Sequence, residues 1–309
     1  MDKENPKVSV IICCYTMERL HDICQAVDSV LAQSIKPFEL IICVDHNEEL
    51  IERLKAELPS EVKVVLNKGA QGFSATKNVA IRTAIGDIIV FLDDDSRADS
   101  CWLQKLSESF QNQNVVAVGG RTIPLWLGGD RPKWFPEELD WIVGGTYKGL
   151  PIHENVIRNV SGGNSAFSKQ AFEVAGLFRE NFGRVGGSGV GEEAEFCLRL
   201  KNRFPDALIL YEPQAVSYHK VPPWRLALKY IVKRSFSEGV YKSKLKNLSL
   251  SVPQNQLSTE SSYLRYLLFT AIPERLRCFW KEGSLSQVGA ITISIAAAGM
   301  GYLVGRVKK

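Results

Sequence analysis

Residues 8–118 alternate short, continuously apolar runs with segments of helical periodicity, and this pattern constrains the fold more than any other feature. The apolar runs are 8–14, 38–44, 62–66, 88–92 and 115–118. The helical segments between them are 19–33, 48–57, 74–84 and 102–111. Strands that are buried on both faces and alternate with helices form a parallel, doubly wound sheet. The sequence therefore predicts an α/β fold whose ligands bind beyond the carboxyl ends of the strands.

The middle of the chain, 119–159, is rich in glycine, proline and tryptophan and is predicted to be a long loop. Its large aromatic side chains form either a surface that grips sugar rings or lipid, or a small aromatic core beneath the loop. Further along, strands are predicted at 164–168, 208–211 and 215–218, and helices at 169–175 and 192–202. A glycine-rich loop is predicted at 183–191.

The last third of the chain has three features that are typical of membrane proteins. Segment 225–246 carries seven basic residues and one acid, segment 263–280 is amphipathic, and segment 283–305 has no charged residue. About 20 apolar residues span a bilayer, so 283–305 is a predicted transmembrane helix, with a buried core helix as the alternative. The predicted domains are a catalytic domain (1–222), membrane-surface helices (223–282), the span (283–305) and a basic tail (306–309), in which Arg306, Lys308 and Lys309 flank the span.

Charge and cysteine content restrict the class of protein and its compartment. The net charge of +4 is too small for a dedicated nucleic-acid binder, so no nucleic-acid partner is expected. The seven cysteines are odd in number and contain no C-x-x-C pair, which indicates reduced thiols rather than disulfides or a zinc site. The first residues lack an apolar leader segment. We therefore expect the catalytic domain on the cytoplasmic side of the membrane, in a single-pass or monotopic protein.

Three consecutive aspartates, Asp93, Asp94 and Asp95, follow the apolar run 88–92. A turn or a helix cap would need only one of them. Three adjacent carboxylates repel one another, and a cation should compensate them. Oxygen ligands suit Mg²⁺ or Mn²⁺, which in turn bind phosphate oxygens. The sequence therefore predicts a Mn²⁺ or Mg²⁺ site here.

Further short motifs surround this aspartate run in a fixed order. They are Cys14-Tyr15-Thr16, Asp45-His46-Asn47, Asn67-Lys68-Gly69 with Gly72, Ala75-Thr76-Lys77-Asn78, Gly162-Gly163-Asn164, Glu192-Glu193-Ala194-Glu195 and His219. In this order, over residues 7–220, the chain resembles a family 2 glycosyltransferase with the GT-A fold. It departs from the family pattern at Cys13 (usually Pro), His46 (usually acidic), Lys77 (usually Arg) and Glu192-Glu193 (usually Glu-Asp).

The resemblance implies roles for individual residues. Mn²⁺ or Mg²⁺ would bind Asp93, Asp95 and His219, and the catalytic base would be Glu193 or its neighbour Glu192. The implied acceptor-side residues are Trp134, Gly163, Asn164 and Glu195. The implied residues for the nucleotide-sugar donor are Cys14, Tyr15, Glu18, Asp45, Asn67, Gly72, Lys77, Asp93 and Asp94. One in-line displacement by the acceptor hydroxyl would invert the anomeric configuration.

The membrane features indicate the acceptor. A basic stretch, an amphipathic segment and a span would hold the active site near anionic lipid, so a polyprenyl-phosphate-linked sugar or another membrane-attached glycan is expected. Segment 234–241 and Gly301-Tyr302 also resemble the membrane-bound members that act as glucosyl-dolichyl-phosphate glucuronosyltransferases. Two alternatives remain at this point: a nucleotidyltransferase on a similar sheet, and a catalytically inactive membrane scaffold of the same fold.

Overall fold

A computed structural model describes residues 6–180, 191–247 and 258–307, and its chain divides into two compact units. Unit 1 comprises Met1–Ile123 and Pro151–His219, and unit 2 comprises Pro124–Leu150 and Lys220–Lys309. The boundary near residue 220 lies close to the predicted one at 222. The sequence did not indicate that the segment Pro124–Leu150 belongs with the C-terminal unit.

The described residues form a sheet of nine strands with the order β3-β2-β1-β4-β8-β6-β9-β5, and β7 pairs with β9. Strands β1 to β4 are mutually parallel, whereas β8 runs antiparallel to both β4 and β6. The strands are β1 Val8–Cys14, β2 Glu39–Asp45, β3 Lys63–Asn67, β4 Ile88–Asp93, β5 Ser96–Ala98, β6 Val115–Trp126, β7 Asn155–Val156, β8 Asn164–Ser168 and β9 Leu208–Val221. The predicted α/β, mostly parallel sheet is confirmed.

In the sequence, α1 to α7 lie between strands, and α8 to α11 come after the last strand. The α-helices are α1 Leu20–Leu31, α2 Glu48–Glu57, α3 Phe73–Thr83, α4 Trp102–Glu108, α5 Asp140–Val143, α6 Lys169–Ala175, α7 Glu192–Arg203, α8 Leu228–Asn247, α9 Ser258–Tyr266, α10 Ile272–Arg277 and α11 Ser284–Val307. Shorter 3₁₀ turns lie at Met17–Arg19, Ser109–Gln111, Glu137–Leu139 and Pro223–Leu226, and a π-helical turn lies at Leu267–Ala271.

The alternation of side chains along β1 explains why the central parts of the parallel strands are mostly apolar. Val10 and Ile12 belong to the core on one face of the sheet, whereas Ile11 and Cys13 belong to the core on the other. Successive side chains of a strand point to opposite faces, so a strand covered on both sides has few polar positions, and the buried Ser9 of β1 hydrogen-bonds to Glu39 at 2.5 Å. Each fully buried aliphatic side chain contributes roughly 1.5–3 kcal/mol. This double burial fixes the sheet and aligns the strand ends.

The structure corrects two predictions about the middle of the chain. Residues 119–126 are not loop, because β6 continues to Trp126 and pairs with β8 and β9. The two predicted extended segments at 208–211 and 215–218 are one continuous strand, β9. The glycine-rich stretch predicted at 183–191 lies outside the described residues except for Gly191, and so do Lys308 and Lys309.

Unit 2 has its own core, and the tryptophan-rich segment contributes to it. Phe135 is fully buried, and Trp126 and Trp134 pack edge-on against its ring at centroid distances of 5.7 and 5.6 Å. Trp141 packs against the same cluster, which includes Ile231, Leu267 and Ile291. Of the two alternatives left open by the sequence, the small aromatic core is the one that these side chains form.

Unit 2 also contains a buried ion pair between Glu138 and Arg275. Glu138 is wholly buried and accepts two hydrogen bonds from Arg275, at 3.2 Å from Nη1 and 2.6 Å from Nη2. The Tyr266 hydroxyl also donates to the same carboxylate at 3.3 Å. A bidentate arginine–carboxylate pair is geometrically specific, so α10 is fixed against the turn Glu137–Leu139.

The last helix, α11, is the one helix among the described residues that is long and apolar enough to cross a membrane. It packs along α8, because Gly239 on α8 lies against the backbone of Ala298, and Gly301 on α11 lies against the backbone of Phe236. The hydroxyls of Ser235 and Ser294 hydrogen-bond at 2.9 Å between them. The predicted uncharged helix is therefore present, and it has a basic helix as its neighbour.

Candidate active site

The carboxyl ends of β2 and β3 carry a connected polar network. Asn67 donates from its amide to Asp45 Oδ1 at 2.9 Å, and the backbone N–H of Gly72 donates to Asp45 Oδ2 at 3.0 Å. β2 and β3 are parallel neighbours, so Asp45 and Asn67 are register partners. Gly72 has a φ of 129°, in a region that L side chains rarely adopt. Three of the predicted donor-binding residues thus lie together, and their contact with a donor stays a prediction.

The end of β1 supplies the next group of predicted donor-binding residues. Cys14 is buried, whereas Tyr15 and Glu18 are exposed. Burial raises the pKa of the Cys14 thiol well above its ordinary value, so the thiol is neutral. The backbone carbonyl of Tyr15 accepts a hydrogen bond from Asn47 at 3.1 Å, which ties this turn to the end of β2.

Asp93, Asp95 and His219 converge on one point beyond the end of β4. One ligand atom from each lies within 4.8 Å of the others, and His219 Nε2 is 3.1 Å from Asp95 Oδ1. The sheet produces this convergence, because β5 pairs antiparallel with β9 and places Ser96 opposite His219. A sequence separation of more than 120 residues is thereby closed. The structure brings all three predicted metal ligands together.

An arginine that the sequence analysis missed is bound to the same aspartates. Arg19 lies 2.5 Å from Asp94 Oδ1 through Nη1 and 3.2 Å from Asp95 Oδ2 through Nη2. It is the last residue of the 3₁₀ turn Met17–Arg19 after β1, directly beside the predicted donor-binding Glu18. The cation expected for the aspartate run is therefore supplied in part by this side chain.

The donor set fits a hard divalent cation. Two carboxylates and one imidazole are ligands that Mn²⁺ accepts, and oxygen-rich sets also suit Mg²⁺. Asp94 Oδ2 is buried and has no hydrogen-bond partner among the residues that the structure describes. Burial, opposed by Arg19 and reinforced by Asp95 and Asp93, raises the pKa of Asp94 to about 7. Such an excess of buried carboxylate oxygens is what a cation would relieve.

Glu192 and Glu193, at the start of α7, lie beside Lys77 of the Ala75-Thr76-Lys77-Asn78 motif. Lys77 is 1% exposed; its ammonium forms an ion pair with Glu193 and lies 3.8 Å from Glu192 Oε1. The same ammonium lies over the rings of Phe73, Phe91 and Phe178, at 4.2, 5.0 and 5.2 Å from their centroids. The ammonium is thus enclosed by carboxylate and aromatic faces. A donor contact by Lys77 was predicted, but in this structure its charge is committed to the glutamates.

The two glutamates differ in their electrostatics. Burial would raise the pKa of Glu193, but the Lys77 ammonium outweighs burial and holds that pKa below its usual range. Burial and then the neighbouring Glu193 charge raise the pKa of Glu192 to about 7. Near neutral pH, Glu193 is therefore ionised, whereas Glu192 is partly protonated.

Gly162 and Gly163 allow the carboxylates of Glu193 and Asp93 to lie close to the backbone. A Cβ atom built on Gly162 would collide with the carboxylate of Glu193, and one on Gly163 would collide with that of Asp93. The carbonyl of Gly163 also accepts a hydrogen bond from the Asp93 N–H at 3.2 Å. Adjacent glycines therefore bring a helix-opening glutamate and a predicted metal ligand to neighbouring positions.

Asn164 and Glu195, predicted on the acceptor side, are buried and hydrogen-bonded within the protein. Asn164 is wholly buried, accepts a hydrogen bond from Trp102 and donates to backbone carbonyls including that of Ala215. Glu195 is also wholly buried and holds Arg199 with both carboxylate oxygens at 2.9 Å. Both side chains are thus occupied by partners within the protein, and an acceptor contact by either one stays a prediction. Trp134, the remaining acceptor-side prediction, is half-buried in the core of unit 2.

Comparisons with known proteins identify the family of the chain. The profile of "Glycosyl transferase family 2" matches residues 9–176. The chain is 35% identical over 306 residues to the glucosyl-dolichyl phosphate glucuronosyltransferase of Haloferax volcanii, covering 97% of this chain and 96% of that protein. It is 24% identical to the succinoglycan biosynthesis protein ExoM of Rhizobium meliloti, covering 77% and 75% of the two chains.

Two solved structures share the fold. The mannosyltransferase PcManGT from Pyrobaculum calidifontis, in complex with GDP-Man and Mn²⁺, aligns with a TM-score of 0.61 over 97% of this chain and 88% of that chain, at 15% identity. GalNAc-T7 with UDP, GalNAc and Mn²⁺ aligns with a TM-score of 0.55 over 85% of this chain and 54% of that chain, at 16% identity. With the family match over more than half of its length, the chain is a glycosyltransferase that belongs to family 2 and has the GT-A fold.

Proposed function

We propose that this glycosyltransferase moves a sugar, with inversion, from a nucleoside-diphosphate sugar to a polyprenyl-phosphate-linked acceptor at a membrane surface. The observation that carries the proposal is the convergence of Asp93, Asp95 and His219 beside the carboxylates of Glu192 and Glu193. The first group would hold a divalent cation whose charge neutralises a leaving diphosphate, and one of the two glutamates would accept the proton. Membership of family 2 removes the nucleotidyltransferase alternative, and the complete carboxylate set argues against an inactive scaffold.

The donor side follows from the strand ends. Asp45, fixed by Asn67 and Gly72, would contact the base or the ribose, and Tyr15 and Glu18 border the same edge. Asp93, Asp95 and His219 would hold Mn²⁺ or Mg²⁺, which neutralises the charge that develops on a leaving diphosphate. Asp94 is held by Arg19 and orients the aspartate turn.

The proton acceptor is one of the two glutamates at the start of α7. The sequence favours Glu193, but its tight ion pair with Lys77 makes it a weak base. A general base works best when its pKa lies near the operating pH, and the pKa of Glu192 is raised to about 7. We therefore assign proton abstraction from the acceptor hydroxyl to Glu192, with Glu193 and Lys77 holding the pair in place.

The proposed acceptor and compartment are supported by the helices of unit 2 and by the similarity to the Haloferax volcanii protein. The Haloferax volcanii protein is named for glucosyl-dolichyl phosphate, and this chain matches it over nearly its whole length. The basic helix α8 and the apolar helix α11 suit a protein held at anionic lipid. The seven cysteines are all free thiols, as expected for a catalytic domain on the cytoplasmic side.

The test uses the purified full chain in detergent or nanodiscs. Nucleotide release is measured with a panel of UDP- and GDP-sugars, beginning with UDP-glucuronic acid, against dolichyl-phosphate-linked glucose and a water-soluble glucoside. We expect turnover with one donor, loss on chelation and recovery with Mn²⁺ or Mg²⁺, and a product of opposite anomeric configuration by NMR. Turnover that continues in excess chelator, or retention of configuration, would contradict the proposal.

The base assignment is tested with Glu192→Gln, Glu193→Gln and Glu48→Gln. Glu48 is a matched control, because it opens the first turn of α2 as Glu192 opens that of α7. We expect Glu192→Gln to lose about 10²-fold or more in turnover while donor binding is retained. Normal turnover in Glu192→Gln would move the role to Glu193.

A further inference from the structure

Most of the exposed residues of α11 form one largely apolar stripe, and the exposed Ser286 and Arg306 lie outside it. Its members are Leu285, Thr292, Ile293, Ala296, Gly299, Met300, Leu303 and Val307. At about 100° of rotation per residue, these positions fall within a sector of roughly 120°. The opposite side of the helix, including Ile291, Ser294 and Gly301, is buried against unit 2. One face of the helix therefore packs on the rest of unit 2, and the opposite face is apolar and exposed.

Helices α8 and α11 run parallel and side by side. Ser235 pairs with Ser294, and a Cβ on Gly239 would meet the backbone of Ala298. A Cβ on Gly305 would in turn meet Ser243 at 2.9 Å. The paired positions rise together along the two helices. Their backbones touch at glycines, so the two axes cannot separate without losing this contact.

This pairing fixes the depth of the charges on α8. Glu238 is the residue before Gly239, and it forms ion pairs with Arg234 at 3.0 Å and Lys242 at 3.1 Å. Gly239 faces Ala298, close to the midpoint of α11. If α11 crossed a bilayer along its normal, this charged triad would lie near the bilayer centre together with the exposed Lys233. Charged groups at that depth are strongly disfavoured.

We propose that α11 lies in the plane of the membrane surface rather than across the bilayer. Its apolar stripe then contacts the acyl chains, and α8 stays level with the headgroups alongside it. The occupant of the stripe is an anionic lipid surface. This choice rests on charge complementarity, because Lys229, Lys233, Lys244 and Lys246 are exposed on α8.

Aromatic side chains near the start of α11 support the same orientation. Phe279 and Trp280 are 62% and 69% exposed, and Phe269 is 76% exposed. Trp is enriched at the boundary between headgroups and acyl chains. The neighbouring basic residues Arg277 and Lys281 are also exposed. The start of α11 therefore carries groups suited to the interface.

The inference rests on the membrane association in the proposed function, and a topology experiment separates the two. The full chain receives one protease-cleavable tag at each terminus and is expressed in bacterial membranes. Inverted and right-side-out vesicles are then treated with the protease. We expect both tags to be cleaved in inverted vesicles and both to be protected in right-side-out vesicles. Cleavage of the two tags from opposite sides, in vesicles that still transfer sugar, would refute the in-plane helix and leave the function intact.

Vesicle binding tests the stripe itself. Met300→Glu and Leu303→Glu place a charge on the stripe, and Ile152→Glu is the control because Ile152 is an exposed apolar residue of unit 1. Binding is measured by flotation with phosphatidylcholine vesicles containing about one third phosphatidylglycerol. We expect each stripe variant to bind at least tenfold more weakly than wild type and the control to bind as wild type does. Unchanged flotation would refute the lipid contact. A wild-type protein that forms a soluble dimer and ignores vesicles would assign the stripe to a second copy and refute both proposals.

Discussion

Replacement of Lys77 by methionine tests how far the site depends on one buried ammonium. Lys77 is 1% exposed and is enclosed by Glu193 and the rings of Phe73, Phe91 and Phe178. Methionine keeps much of the side-chain length and removes the charge. The Glu193 carboxylate then loses its partner while it remains beside Glu192, and it must take up a proton to stay buried.

The size of the effect follows from that proton. A carboxyl of ordinary pKa 4.5 must be protonated at pH 7, which at 1.36 kcal/mol per pH unit costs about 3.4 kcal/mol. This agrees with the roughly 3–5 kcal/mol lost when one partner of a buried ion pair is removed. For a unit of this size, 1 kcal/mol corresponds to about 2–4 °C in melting temperature. We therefore expect Lys77→Met to melt at least about 6 °C below wild type at pH 7.

The direction of the pH dependence is fixed as well. In Lys77→Met the folded-state pKa of Glu193 rises above its unfolded value, so the penalty grows as the pH rises above 4.5 and shrinks as the pH falls towards 5. Thermal unfolding of the detergent-purified full chain between pH 5 and 8 measures it. Lys55→Met is the control, because Lys55 is a half-exposed helix lysine paired with Glu52. A penalty equal to that of Lys55→Met would refute the argument, and so would a double variant with Glu193→Gln that recovers no stability.

Three further outcomes are expected. Because the pKa of Glu192 is raised to about 7, its charge destabilises the folded state progressively from pH 4.5 to 7; Glu192→Gln should therefore gain up to about 3 kcal/mol over wild type at pH 8 and little at pH 4.5, by thermal unfolding. Mn²⁺ should raise the melting temperature of wild type but not of Asp95→Asn, and an equal rise in both would exclude Asp95 as a ligand. Gly301→Leu should lower the melting temperature by several degrees, because its Cβ meets the Phe236 backbone, while Gly299→Leu, with open space around it, should not.

The fold could be predicted from the sequence where burial sets the pattern. β1 coincides with its predicted run at 8–14, and α2 with its predicted segment at 48–57. The prediction failed at residues 119–126, where Gly119, Gly120 and Pro124 have the composition of a loop. A Cβ on Gly120 would collide with the carbonyl of Ala215, so the glycine permits close approach of strands rather than a turn. Strand pairing partners distant in sequence decide this, and local composition does not contain them.

The candidate site shows the same division. Short motifs correctly grouped Asp93, Asp95 and His219, because strand ends of one sheet must meet at one edge. They did not indicate Arg19, whose only sequence signal is its position one turn after β1. They also assigned Asn164 and Glu195 to the acceptor side, since a motif marks a residue as important without showing whether it is buried. In the structure both side chains are buried and hydrogen-bonded within the protein, so an acceptor contact by either one stays a prediction.

For both Lys77 and α11, a charged partner that is distant in the sequence changes the interpretation of the local pattern. A lysine in the middle of a helix is ordinarily solvated, and a long uncharged helix near basic residues ordinarily crosses a membrane. What changes both interpretations is a partner far away in the sequence: Glu193 for Lys77, and the Arg234–Glu238–Lys242 triad for α11. The cost of moving a charge out of water is large compared with the propensities that sequence patterns report. A charged partner therefore decides the environment of a segment, because the buried lysine must keep its carboxylate and, in the in-plane orientation proposed above, the apolar helix stays level with its charged neighbour.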